Sequence, residues 1–480
     1  MAEYYIFASG GAGIKTAIAV VLFAAAGYTP FKRQEAANRG ILARRGPERD
    51  YDHSITIIPC DIDINSAQRE RLIMLQKQQN YLRTVYDNGK MLRINIADSI
   101  RFSDDDETDG VSLNKIVGEH SDNPLMQSLF DPSQREKPNN DGTEGDMQLG
   151  CFFTSSFIQD RDLTGLFKGN PNEDRYIAFT GSVYGGTGAS VTPTIYRLVK
   201  NFFNNHAAGG SMSPQFAGTN TQGCILMLPY FSISADSSNI AVESPEHTPR
   251  TKAALGKISQ LAPDYTALVG AEQRQMKIGE GEKDKAVVAK GNRDQLNPLM
   301  PEDIAAAAAV FDFFARSHRN NEQVYIDAVN SNFGALPDGK ELALCIRRLD
   351  YFLKLLKFYY VYKEGNSELT SFSGFYRPNG DENYLSIIGH YVYIGVESHK
   401  NRNNLLNALQ EVEWNCPTND TTEAIRCSFQ NVNKVTDIVA DKADKRCIDK
   451  IYRSMFKLKG GETDEFVRTL WQEVCKVLDS

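Results

Sequence analysis

Apolar and polar positions along the chain fall into short blocks that alternate between strand and helix character. Tyr4-Tyr-Ile-Phe-Ala8 is a β-prone apolar run; Ser9-Gly-Gly-Ala-Gly13 breaks it, and Ile14 to Ala26 then reads as a buried helix. Ile55-Thr-Ile-Ile-Pro59 predicts a second strand, followed by Cys60-Asp-Ile-Asp63 and a helix through about Thr84 that Asn65 or Ser66 can cap. Met91 to Ile96 predicts a short strand. Ile177 to Phe179 predicts another, leading through Gly185-Gly-Thr-Gly-Ala-Ser190 into an amphipathic helix. Cys224 to Phe231 and Tyr265 to Gly270 read as buried strands, with a helix from about Pro249 to Leu261 between them. Pro298 to Arg316 is a long Ala-rich helix, and its Pro301-Glu-Asp303 start suits a helix N-terminus.

Strands alternating with helices through residue 316 predict an α/β fold with an open, mostly parallel sheet wrapped by helices. Residues 1–320 form this domain. Within it, 103–150 is rich in Asp, Asn, Pro and Gly and reads as a mobile acidic insertion, with a helix available between Leu113 and Leu129. The charged stretch 273–294 reads as mobile as well. Residues 321–480 form a helix-rich second domain, with helices over Glu341–Tyr362, Asn403–Val412, Val435–Leu458 and Asp464–Leu478 and a strand over Tyr391–Val396.

Composition narrows the function classes. The chain has 480 residues, 41% apolar and 24% charged, which suits a soluble globular protein of two to three domains. A net charge of −8 argues against direct binding to nucleic acid or to an anionic membrane. The eight cysteines are scattered, with no CxxC and no Cys/His ligand spacing. No metal site is therefore expected from them, and free thiols fit a reducing cytoplasm. The start Met1-Ala-Glu-Tyr-Tyr lacks the basic segment of a secretory leader, and the apolar run Ala17 to Gly27 is about half a membrane span. His53, His206, His247, His318 and His390 show neither ligand nor triad spacing.

The candidate chemistry lies in the two glycine segments. Each follows a strand and opens a helix, where backbone N–H groups and the helix dipole favour an anion such as phosphate. Gly10, Gly11, Ala12 and Gly13 form the first segment; Gly185, Gly186, Thr187, Gly188, Ala189 and Ser190 form the second. Glycine permits close backbone approach, and Thr187 and Ser190 add hydroxyls for phosphate or a Mg²⁺-bound water.

The order of these segments is similar to the nucleotide-binding domain of the tubulin/FtsZ superfamily, in the flavour of its divergent bacterial members. Gly10-Gly-Ala-Gly13 resembles the first phosphate loop, Ile58-Pro-Cys-Asp61 the NTD segment, and Gly185-Gly-Thr-Gly-Ala-Ser190 the signature loop. Leu226-Met-Leu-Pro-Tyr-Phe231 resembles the VVTxPF strand, and Pro301 to Phe314 sits where the family has its central helix. The resemblance covers residues 1–320. It implies GTP or GDP as cofactor with Mg²⁺, and head-to-tail self-association into a filament. It also implies GTP hydrolysis at the subunit interface and, as a further partner, a product of the same operon. Asp61 or Asp63 would meet ribose hydroxyls or magnesium waters; Asp303 or Glu302 would accept from a guanine edge, a place Asn297 also suits.

The family's second phosphate loop has no matching glycine run between residues 100 and 150, and its catalytic acid is not recognisable after Arg316. Asp327, Asp338 and Glu341 are the nearby acids, and no catalytic residue is assigned. The same fold as a non-hydrolysing scaffold is one alternative. A P-loop enzyme is another, since Ser9 to Thr16 approaches GxxxxGK[ST] with Ile14 in place of glycine; there Lys15 would touch phosphate, although a solvated lysine is the simpler expectation. A Rossmann oxidoreductase lacks its third glycine here, and its acid would lie beyond the usual separation of about 20 residues.

Overall fold

The structure is a computed structural model that describes residues 2–31, 53–63, 66–87, 92–97, 100, 111–118, 123–138, 143, 146–158, 160–167, 172–207, 218–229, 231–233, 244–270, 276–278, 299, 301–315, 322–328, 442–455 and 463–479, with seven further positions between 344 and 355. Its centre is a seven-stranded, all-parallel open sheet. The strands are β1 (Glu3–Ser9), β2 (Ser54–Cys60), β3 (Arg93–Ile96), β4 (Arg175–Ser182), β5 (Asn220–Met227), β7 (Tyr265–Gly270) and β9 (Glu322–Asp327). The spatial order is β3-β2-β1-β4-β5-β7-β9. Strands β6 (Phe231–Ile233) and β8 (Met276–Ile278) pair separately, also in parallel.

Central strands of a parallel sheet are covered on both faces, so they read as continuous apolar runs. β1 shows this: Tyr4 lies opposite Ile55 on one side and Tyr176 on the other, and Ile6, Phe7 and Ala8 are fully buried. Side chains alternate across the sheet. Ile6, Ala8, Ile57, Ala178, Ile225 and Ala267 enter one core; Phe7, Ile58, Phe179 and Leu226 enter the other. The first core holds α1 (Gly10–Ala25), α2 (Ala67–Asp87), α10 (Pro301–Ala315), α11 (Lys442–Met455) and α12 (Thr463–Leu478). The second holds α6 (Met147–Phe157), α7 (Asp160–Leu166), α8 (Gly186–Ala207) and α9 (Ser244–Leu261).

Helix α1 is apolar nearly all round because α2 and α10 flank it against the sheet. It ends in a Schellman motif: Gly27 takes φ +80, Tyr28 N–H donates to the Phe23 carbonyl at 3.0 Å, and Gly27 N–H donates to the Ala24 carbonyl at 3.0 Å. Helix α2 closes the edge of the sheet at β3. Gln76 and Gln79 donate their Nε2 hydrogens to the carbonyls of Ile94 and Leu92 at 2.8 and 2.7 Å.

Three sequence expectations are revised. Both glycine segments are helical first turns rather than loops: α1 begins at Gly10 and α8 at Gly186, leaving only Gly185 of the predicted glycines before the helix. The acidic segment carries α3 (Leu113–Val117), α4 (Pro124–Leu129) and α5 (Pro132–Glu136), and Leu113 and Phe130 are buried in the second core. Helix α10 is followed by β9, which pairs with β7, so α10 is a crossover within the sheet. β9 is short and half exposed, and its pattern carries little strand signal.

In the C-terminal part, Cys345, Tyr351, Phe352, Ile448, Leu470, Trp471 and Val474 join the core of α1 and α10. Arg347 ties this part together through Asp444, and Tyr351 also hydrogen-bonds Asp444. The helix predicted over Asn403–Val412 and the strand over Tyr391–Val396 lie outside the described residues. Among those described, no helix is long and apolar enough to cross a membrane.

Candidate functional site

The strand order reverses between β1 and β4. Helix α1 leaves β1 toward one face and α8 leaves β4 toward the other, the arrangement that in open α/β sheets leaves a crevice outside the carboxyl ends of the two strands. In open α/β sheets this reversal is where ligands bind. Both glycine segments lie there, and they touch. Gly10 has φ +65, and a side chain on it would come within 3.1 Å of the Gly188 nitrogen and of Thr187 Cβ. Gly13 is pressed against β4, where a Cβ would meet the Thr180 carbonyl oxygen at 2.5 Å. Gly188 is pressed against Ser182, whose carbonyl oxygen would lie 2.7 Å from a Cβ.

Two residues of α1 are only partly buried. Every residue of the helix is buried except Gly11 and Ala12, in its first turn, and a Cβ at Gly11 would meet nothing within 4 Å. Ser9 occupies the N-cap position but makes no side-chain capping bond, and its fully buried hydroxyl has no partner among the described residues. Neither α1 nor α8 carries an acid in its first turn. Two positive helix ends thus converge on an open backbone surface, and the surroundings fit an anion.

The predicted ligands divide by placement. Gly11, Ala12, Gly185 and Thr187 are partly accessible at the crevice, whereas Gly10, Gly13, Gly186, Gly188 and Ala189 are buried and supply backbone. Ser190 turns away. Its hydroxyl donates to the Gly186 carbonyl at 2.6 Å, and Gly150 of α6 packs so closely that a Cβ there would lie 2.0 Å from Ser190 Oγ. Ser190 therefore joins α8 to α6 and does not present a hydroxyl to the crevice.

Asp61 and Asp63 follow β2, one strand from β1, at the same edge of the sheet. Asp63 N–H donates to Asp61 Oδ1 at 3.3 Å. Burial, and then the neighbouring Asp63 charge, push the Asp61 carboxyl up to about 7, against the Ser66 hydrogen bond and the Arg69 charge. Asp61 thus gains or loses its proton near neutral pH, beside the crevice.

Asp303 is fully buried in the first turn of α10 and pairs with Lys15 Nζ at 2.9 Å. Lys15 is 5% exposed, which overturns the expectation of a solvated lysine. Its signal in the sequence is the lone charge in the run Ile14 to Ala26. Glu302 is fully buried beside Asp303. Asp327 ends β9 opposite Gly270, while Asn297, Asp338 and Glu341 lie outside the described residues.

No protein-family model and no curated protein matches the chain. The site rests on its geometry alone.

Among the described residues, His53 and His206 are packing groups. His53 packs against Phe31 with ring centroids 4.4 Å apart, and His206 sits 2.7 Å from the Phe202 carbonyl in its own helix. Among the described residues no group of His, Cys, Asp or Glu is placed to hold a metal ion.

Proposed function

We propose that the chain is a tubulin/FtsZ-like protein that binds GTP or GDP in the crevice between α1 and α8. The observation that carries this reading is the meeting of two glycine-opened helix N-termini at the reversal of strand order. Backbone N–H groups of Gly11, Ala12 and Gly13 face one side of a diphosphate, and those of Gly186 to Gly188 the other. Thr187 donates its hydroxyl to phosphate or to a water of Mg²⁺. Asp61, at the end of β2, accepts from a ribose hydroxyl. Magnesium, when bound with the nucleotide, neutralises phosphate charge and orients the terminal group. Head-to-tail self-association would bring a neighbour's acid to that group and permit hydrolysis.

One observation favours a second reading. An acid at the end of the strand next to the first glycine turn is also where a dinucleotide-binding fold holds its ribose, and Asp61 occupies that place. Equilibrium binding of a fluorescent GTP with Mg²⁺, competed by GTP, ATP and NAD, separates the two. Selective displacement by GTP supports the tubulin-like reading. Displacement by NAD alone supports the dinucleotide reading, and the absence of binding refutes both.

A further inference from the structure

The ion pair between Lys15 and Asp303 is placed where a cation is least expected. α10 runs between the parallel strands β7 and β9, so it starts at the carboxyl edge of the sheet, as α1 does. Asp303 is the third residue of α10, about 3 Å of rise from its start. Lys15 lies four residues beyond Gly11, about 6 Å of rise, and helical side chains lean back toward the N-terminus. The ammonium, 2.9 Å from Asp303, therefore lies at the level of the first turns of both helices, just below the open turn at Gly11.

Those first turns carry positive dipole ends. They favour the Asp303 carboxylate and disfavour the Lys15 ammonium. Both groups are removed from water, with side chains 6% and 0% exposed, and the attraction of Asp303 helps to offset the ammonium's loss of hydration. A polyphosphate arriving at the Gly11 turn brings several negative charges to the same place and competes with Asp303 for Lys15.

We propose that the Lys15–Asp303 pair is a phosphate-responsive switch: Lys15 moves from Asp303 to the terminal phosphate of a bound nucleoside triphosphate. This rests on the nucleotide reading above and assigns a residue that reads the number of phosphates. A diphosphate leaves the pair closed. A triphosphate opens it and loosens the first turn of α10, the helix that precedes β9 in the chain.

The test uses the wild-type chain. Backbone hydrogen exchange across residues 301–305 is compared without nucleotide, with Mg-GDP and with Mg-GTP at saturation. Faster exchange with GTP but not with GDP is the expected result. GTP binding without a change in this turn overturns the switch and leaves the nucleotide site standing; failure of GTP to bind overturns both. A second measurement avoids leaving a buried charge alone. The double variant Lys15→Met/Asp303→Leu replaces the pair by apolar groups and should remain folded. Its preference for GTP over GDP should fall by about tenfold relative to wild type, the loss of one hydrogen bond to a charged group. An unchanged preference in a folded double variant overturns the proposal.

Discussion

Gly11 and Gly13 lie two residues apart in the same helical turn, and the structure assigns them opposite behaviour. Gly11 faces open space: a methyl group on its Cα would meet nothing within 4 Å, and its φ is not in the left-handed region. The Cβ of valine meets nothing within 4 Å there, and valine has a better helix propensity than glycine, so stability should rise by a few tenths of a kcal/mol, about 0.3. At Gly13 a methyl would sit 2.5 Å from the Thr180 carbonyl oxygen and 3.0 Å from the Ala8 carbonyl carbon. Both are strand backbone and cannot step aside, so Gly13→Ala should destabilise the fold by about 1–3 kcal/mol. Ligand binding should follow the reverse order. The side chain of Gly11→Val fills the space in front of the first-turn N–H groups. Two hydrogen bonds to a charged phosphate, each about 1.5–3 kcal/mol, are then lost, and affinity should fall at least about 100-fold. Urea unfolding measures the first effect and titration with fluorescent Mg-GTP the second. A Gly11→Val variant that folds normally and binds GTP within about threefold of wild type would refute the placement of phosphate on α1.

Other expectations follow from the same contacts. Because the Asp61 carboxyl is raised from 3.8 to about 7 in the folded chain, the folded state holds that proton longer than the unfolded state. Its contribution to stability therefore declines as pH rises from 3.8 to about 7 and is level above that. Urea midpoints between those limits should fall less steeply for Asp61→Asn than for wild type, and identical slopes would contradict the assignment. Gly150→Ala places a methyl 2.0 Å from Ser190 Oγ and 2.8 Å from its Cβ. It should destabilise the chain by about 1–3 kcal/mol in urea unfolding, and Ser190→Gly in the same chain should restore part of the loss. Burial pushes the thiols of Cys60 and Cys224 well above the usual range. A thiol reagent should therefore modify half-buried Cys151 in the native chain before either, as peptide mass mapping would show; equal labelling would mean that the two core sites open.

Much of the fold was legible in local pattern. The apolar runs at Tyr4, Ile55, Ile177, Cys224 and Tyr265 are strands because a parallel sheet covers both faces of its central members, and the sequence must be apolar throughout to tolerate that. The glycine segments stood out because a break between a strand and a helix is itself a short-range signal. Strand β9 did not stand out: as an edge strand it leaves Gln323 and Tyr325 exposed and loses the apolar run that marks the others. With it went the role of α10, which is a crossover only because β9 returns to the sheet.

The local sequence by itself determined most of the central strands and helices, and where glycine breaks stand between a strand and a helix. It could do so because φ/ψ freedom, apolar periodicity and missing side chains act within a few residues. Only the tertiary structure decided how those turns are used. The reversal of strand order set β1 beside β4 and brought Gly10 against Gly188, two residues remote from one another along the chain. Packing of α6 against α8 turned Ser190 away from the crevice, and packing of α10 against α1 buried Lys15 on Asp303. Each of these depends on the distance between segments far apart in sequence, and burial and Coulomb attraction act on that distance alone.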